Sequence, residues 1–158
     1  MIDEKTNQEG AEKKSTCIVG IGNTLRSDDG VGAHICQLLE EKRLPAVTVI
    51  TTQQLDIALA DDLSKFDSVV FIDASLEEET ISFGPLLAED HQARAFSHQI
   101  NAAMLVSLTS KLFSTNTQFY ICAIGAYNFE MGNRLSEKAI RNATEAASLL
   151  AKWIQYND

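Results

Sequence analysis

Cys17-Ile-Val-Gly-Ile21 runs straight into Gly20-Ile-Gly-Asn-Thr-Leu-Arg-Ser-Asp-Asp-Gly-Val-Gly32, and the reading of that junction decides the fold. A short, almost wholly apolar run suits a strand covered on both faces, and the Gly- and Asp-rich loop after it leads into a helix. Ser68-Val-Val-Phe-Ile72 and Phe119-Tyr-Ile-Cys-Ala-Ile124 repeat the buried-strand pattern, and Val47-Thr-Val-Ile50 adds another. Thr80-Ile-Ser-Phe83 alternates polar with apolar before Gly84-Pro85, as a half-exposed strand near a turn does. Between the strands lie helical patterns. Val31, Ile35, Leu38 and Leu39 share one face, as do Ala102, Leu105 and Leu112, and Gln54 to Lys65 reads more weakly as helix. The last helix is the clearest: Ser136 is placed to cap it, and Ala139, Ala143, Ala146, Leu150 and Trp153 recur at helical spacing. Strands alternating with helices predict an α/β fold, a three-layer α/β/α sandwich with a mostly parallel, mixed sheet of about five strands and an antiparallel edge.

The composition agrees with one domain. A chain of 158 residues buries about two-thirds of the surface that it exposes unfolded. There is no internal repeat and no Pro-, Gly- or Ser-rich linker; residues 1–15 read as a flexible tail and 16–158 as a single domain. No apolar run approaches the roughly 18 residues of a membrane span, so no membrane insertion is expected. The charged stretch Met1 to Ser15 lacks the apolar segment of a secretory signal. Cys17, Cys36 and Cys122 are odd in number and widely spaced, which suits neither a disulfide framework nor a paired-cysteine metal site; they read as buried small hydrophobes in a cytoplasmic protein. A net charge of −9 repels a phosphate backbone, so no nucleic-acid partner is expected.

In open α/β sheets ligands bind where strands end and loops begin. Three residues stand out there. Asp29 follows the first strand at the start of the first helix, Asp73 ends the strand Val69 to Ile72, and His98 opens the helix that carries Ala102 and Leu105. Two carboxylates and an imidazole offer a donor set suited to zinc, nickel or a similar divalent ion with open positions, which polarises a carbonyl and lowers the pKa of bound water. Each residue also has a structural reading. Asp28 reads as an N-cap, Asp29 as a carboxylate favoured by the helix dipole, Asp73 as solvated in its loop, and His98 as a hydrogen-bonding group at a helix start. His34 flanks the core and His91 reads as solvated. Gly20-x-Gly22 after a strand has the beginning of a dinucleotide fingerprint, but Leu25 occupies the place of the third glycine and Asp28-Asp29 would repel a pyrophosphate.

With these positions in hand, the chain resembles the nickel-iron hydrogenase maturation endopeptidases, the proteases that process the C-terminus of the hydrogenase large subunit. Gly20 to Gly32 resembles that family's signature loop, Ile72-Asp73-Ala74 its second acidic site and Ser97-His98-Gln99 its histidine site. The likeness runs from about Thr16 to Trp153. It implies that Asp29, Asp73 and His98 are both the catalytic and the metal-binding residues, with Asp29 standing where some relatives have Glu. It also implies that the metal is nickel already inserted in the large-subunit precursor, whose C-terminal extension is then removed, with zinc or another divalent ion as a surrogate. A noncatalytic nickel-sensing chaperone and a broader metallopeptidase remain as alternatives. The chain departs from many relatives at Gly125-Ala-Tyr-Asn-Phe-Glu130, where a loop commonly contains Pro-Glu. Leu25, Val31, Tyr127 and Phe129 read either as a docking surface at the same sheet edge or as core.

Overall fold

A computed structural model of the chain describes residues 12–88 and 101–157. Five strands form one sheet: β1 (Thr16–Ile21), β2 (Val47–Thr52), β3 (Ser68–Ser75), β4 (Ile81–Pro85) and β5 (Gln118–Gly125). The order is β2-β1-β3-β5-β4, parallel except for β4, which pairs antiparallel with β5 at one edge. The helices are α1 (Val31–Glu41), α2 (Leu59–Leu63), α3 (Ala102–Leu112) and α4 (Glu137–Tyr156). The mixed three-layer α/β/α architecture expected from the strand and helix patterns is the one observed.

Alternation along the strands separates two cores. Ile18, Val70, Ile72, Cys122 and Ile124 point to one face and pack under α1 and α4, against Ile35, Leu39, Ala143, Ala146 and Leu150. Cys17, Val19, Val69, Phe71 and Phe119 point to the other and meet Ala60 and Leu63 of α2 and Leu105 and Val106 of α3. The small alanines of α4 let its axis come close to the sheet. Its N-terminus is capped as expected, with Ser136 Oγ accepting from Ala139 N at 3.2 Å. Trp153 packs edge-on against both Phe83 and Tyr120, which fastens the edge strand to the helix.

Two helical expectations need correction. Leu112 is 60% exposed rather than inward-facing. It is the last residue of α3, and Phe113 turns into the core in its place, so the buried stripe is Ala103, Leu105, Val106 and Thr109. The helix expected over Gln54 to Lys65 is confined to Leu59–Leu63. Thr52 Oγ1 donates to Gln54 O at 2.6 Å and Asp56 Oδ1 accepts from Ala58 N at 2.8 Å, so side chains hold the preceding backbone in turns that compete with the helix. Of the N-terminal stretch, residues 1–11 lie outside the described residues. Ser15 is bound to the domain through its amide and hydroxyl, both donating to Asp67 Oδ2. No helix of the described residues is long and apolar enough to cross a membrane.

Candidate functional site

The strand order makes the site. β1 has β2 on one side and β3 on the other, so the chain crosses one face after β1 and the opposite face after β2. A crevice opens at such a reversal, beyond the carboxyl ends of the strands. β1 delivers the 3-10 turn Ser27–Gly30 to it, and β3 delivers Asp73.

Close backbone approach brings the two together. A Cβ at Gly32 would stand 2.9 Å from the carbonyl oxygen of Ile72 and 3.0 Å from the backbone of Ile21, and one at Gly20 would stand 2.7 Å from Gly32 O. Only glycines let the start of α1 lie this near β1 and β3. Gly22 has φ +142° and its Cβ would fall 1.9 Å from Asp29 O. The loop therefore folds back on itself, and Asn23 N donates to Asp29 Oδ2 at 2.8 Å. That amide fixes the Asp29 carboxylate.

Asp73 is half-buried and lies within β3, which runs on to Ser75 rather than ending at Ile72. It shares the face of Val69 and Phe71, the side covered by α2 and α3. Burial first, and the neighbouring charge of Asp29 second, push its carboxyl up to about 6, with the Ala74 amide acting weakly the other way. Asp29 and Asp73 thus come together in one crevice. His98 and His91 lie outside the described residues. Asn101, three positions after His98, caps α3 by accepting from Met104 N at 2.8 Å. Among the described residues no group of three or more His, Cys, Asp or Glu is arranged to hold a metal ion.

Asp28 is structural, but it does not cap its own turn. The cap position is Arg26, with no side-chain bond. The fully buried Asp28 carboxylate instead accepts from Tyr127 N at 2.9 Å, Asn128 N at 3.0 Å, Ser136 N at 2.7 Å and Ser136 Oγ at 2.8 Å. Burial acts to raise its pKa, but these bonds more than reverse that and hold it below the usual carboxylate range. Ser27 adds to the seam: its amide and hydroxyl donate to Gly132 O and Glu130 O, each at 2.8 Å, and stabilise its left-handed φ of 50°. The segment after β5 is therefore laced to the acidic turn. Sequence reasoning missed this seam, whose partners lie about a hundred residues apart. It also missed Asn142, buried on the inner face of α4, which donates to Gly125 O at 3.2 Å and to the Tyr127 hydroxyl at 3.0 Å. The one signal was a polar residue interrupting the run Ala139, Ala143, Ala146.

The remaining candidates divide between core and surface. Val31 is fully buried in the core and is no part of a docking surface. Leu25 and Tyr127 are exposed, Phe129 is half-buried beneath Arg26, and His34 lies within α1, half-buried at the edge of its buried stripe. Cys17, Cys36 and Cys122 are buried, and burial raises each thiol to about 12, so none supplies a thiolate near neutral pH.

No family model and no curated protein matches the chain. Solved structures do. It is similar to a [NiFe] hydrogenase maturation protease, HycI, from Thermococcus kodakarensis, with 23% identity, a TM-score of 0.74, and coverage of 92% of this chain and 95% of that one. A hydrogenase 2 maturation peptidase from a Thaumarchaeota archaeon gives 23% identity and 0.67 over 90% and 99%. The hydrogenase maturating endopeptidase HybD from E. coli gives 16% and 0.65 over 89% and 93%. The chain shares the fold of these proteins over most of its length.

Proposed function

We propose that the chain is an endopeptidase that removes the C-terminal extension from a nickel-iron hydrogenase large-subunit precursor after nickel insertion. The observation that carries this reading is the meeting of Asp29 and Asp73 at the reversal point of a sheet whose fold is shared with hydrogenase maturation proteases. Two carboxylates held together repel each other, and a cation relieves that repulsion. The nickel is substrate here: it arrives with the precursor and is met by Asp29, Asp73 and, on the segment before α3, His98. Asn23 holds one oxygen of Asp29, leaving the other to the ion. Zinc would serve as a surrogate in the same donor set.

Recognition of the ion brings the scissile peptide into the crevice. Water attacks its carbonyl carbon, the water proton passes to a carboxylate, and the departing amine takes a proton as the C–N bond breaks. The partner is the precursor alone, in the cytoplasm, with no nucleic acid.

The test is mass spectrometry of nickel-loaded precursor incubated with the purified chain. Loss of a defined C-terminal fragment is expected, and none with Asp29→Asn or Asp73→Asn. Stable binding without cleavage would make the chain a nickel-sensing chaperone instead. Cleavage of unrelated peptides with added zinc or nickel would make it a broader metallopeptidase.

A further inference from the structure

A cleft of about 260 Å³ lies beside the crevice, lined among others by Gly22, Thr24, Leu25, Ala33, Thr51 and Gln53. We infer that this cleft is the specificity pocket for the substrate residue adjoining the scissile bond, and that it selects a small, uncharged side chain; the inference rests on the endopeptidase reading above.

Four features carry it. The cleft is next to the chemistry, because Asn23, which lines it, donates its amide to Asp29 Oδ2. Its size is below the roughly 300–1,000 Å³ of sites that enclose a whole small molecule, so it fits a side chain with its stretch of backbone. Its lining is uncharged throughout, in a chain with 13 basic and 22 acidic residues. A charged side chain placed there would lose water and gain no partner. Finally, an extended backbone has somewhere to pair. Thr52 O accepts from Gly22 N, so residue 52 faces β1, and by alternation the main-chain groups of Thr51 and Gln53 point the other way. β2 is the outer strand on that side. A substrate strand laid along Thr51 would bring a side chain beside Ala33, which carries only a methyl.

Steady-state cleavage of the nickel-loaded precursor tests this, with the scissile bond mapped by mass spectrometry. Ala33→Phe fills the cleft and is expected to lower kcat/KM at least about tenfold, mainly through KM. A precursor carrying Gly at the pocket-facing position should restore cleavage by Ala33→Phe, while one carrying Lys there should be cut by the unaltered chain at least about tenfold more slowly. Thermal melting and zinc affinity should match the unaltered chain. If Ala33→Phe fails to fold, Thr51→Trp at the exposed rim carries the same expectation. Normal cleavage by the folded variants, no recovery with Gly, or free acceptance of Lys overturns the pocket and leaves the endopeptidase reading standing. Failure of the unaltered chain to cut any precursor overturns that reading and the pocket with it.

Discussion

The carboxylates of Asp29 and Asp73, 44 positions apart in the chain, sense one another: the charge of Asp29 adds to burial in pushing Asp73 up to about 6. The consequence for stability has a definite sign. Asp73 begins near 3.8 and rises to about 6 on folding, so the folded chain binds this proton more tightly than the unfolded one. Ionising Asp73 therefore costs folding energy, by nothing below about pH 4, increasingly to pH 6, and fully above, at roughly 2–3 kcal/mol. Asp73→Asn should then raise the melting temperature by about 5–10 °C at pH 7.5 and change it little at pH 4. A variant that melts below the unaltered chain at pH 7.5 would show that the pair is not under electrostatic tension.

Asp28 has the opposite sign. Its carboxyl is held below the usual value by four donors, so its contribution is present above about pH 4 and lost as the pH falls through the lower folded pKa. Asp28→Asn turns an amide N–H₂ toward groups that are themselves donors and should cost about 2–4 kcal/mol in urea unfolding at pH 7. Ser136→Ala removes one donor to Asp28 and the cap of α4, for about 1–2 kcal/mol. Equal midpoints for Asp28→Asn and the unaltered chain would mean that the seam is not needed for folding.

The glycines divide by what surrounds them. Gly22→Ala brings a methyl to 1.9 Å from Asp29 O at φ +142°, and this backbone clash should prevent the native loop from forming. Gly32→Ala meets Ile72 O at 2.9 Å, so the start of α1 must lift and zinc affinity should fall even where the fold survives. Gly84→Ala, with nothing within 4 Å, should be neutral or stabilise by up to about 1 kcal/mol through the unfolded chain. Circular dichroism and zinc titration of the three variants read out this order.

What the sequence disclosed was local. Four strands could be read from short apolar runs and β4 from its polar-apolar alternation, the cap of α4 from Ser136, and the acidic positions from their place after strands. Asp29 and Asp73 could be grouped because each follows a buried strand, while the sheet's reversal point needed the strand order β2-β1-β3-β5-β4. What stayed hidden depends on contacts between distant segments. Asp28 looks like a cap because its sequence neighbours form a helical turn, yet its four donors come from residues 127 to 136. Val31 could be a docking residue or core until the closeness of α1 to the sheet was known. The uncharged cleft combines the loop after β1 with the end of β2, and no periodicity links those two segments.

Metal binding brings the opening pair to a direct measurement. A divalent ion needs Asp73 ionised, so binding must displace its proton whenever the pH is near or below 6. With zinc as the probe, the Asp73 step alone should contribute about tenfold per pH unit to the apparent affinity below 6 and level off toward pH 7.5. Calorimetry at pH 6 in two buffers of different ionisation enthalpy should register release of about half a proton from Asp73. His98→Ala should bind more weakly, but the Asp73 step should remain. Asp73→Asn should abolish that step, and Asp29→Asn should weaken binding as well, since each carboxylate supplies one share of the attraction. Zinc near a hundred times its dissociation constant should raise the stability of the unaltered chain by about 2.7 kcal/mol. An affinity that is flat from pH 5 to 7.5, or unchanged in both carboxylate variants, would show that Asp29 and Asp73 do not hold the ion.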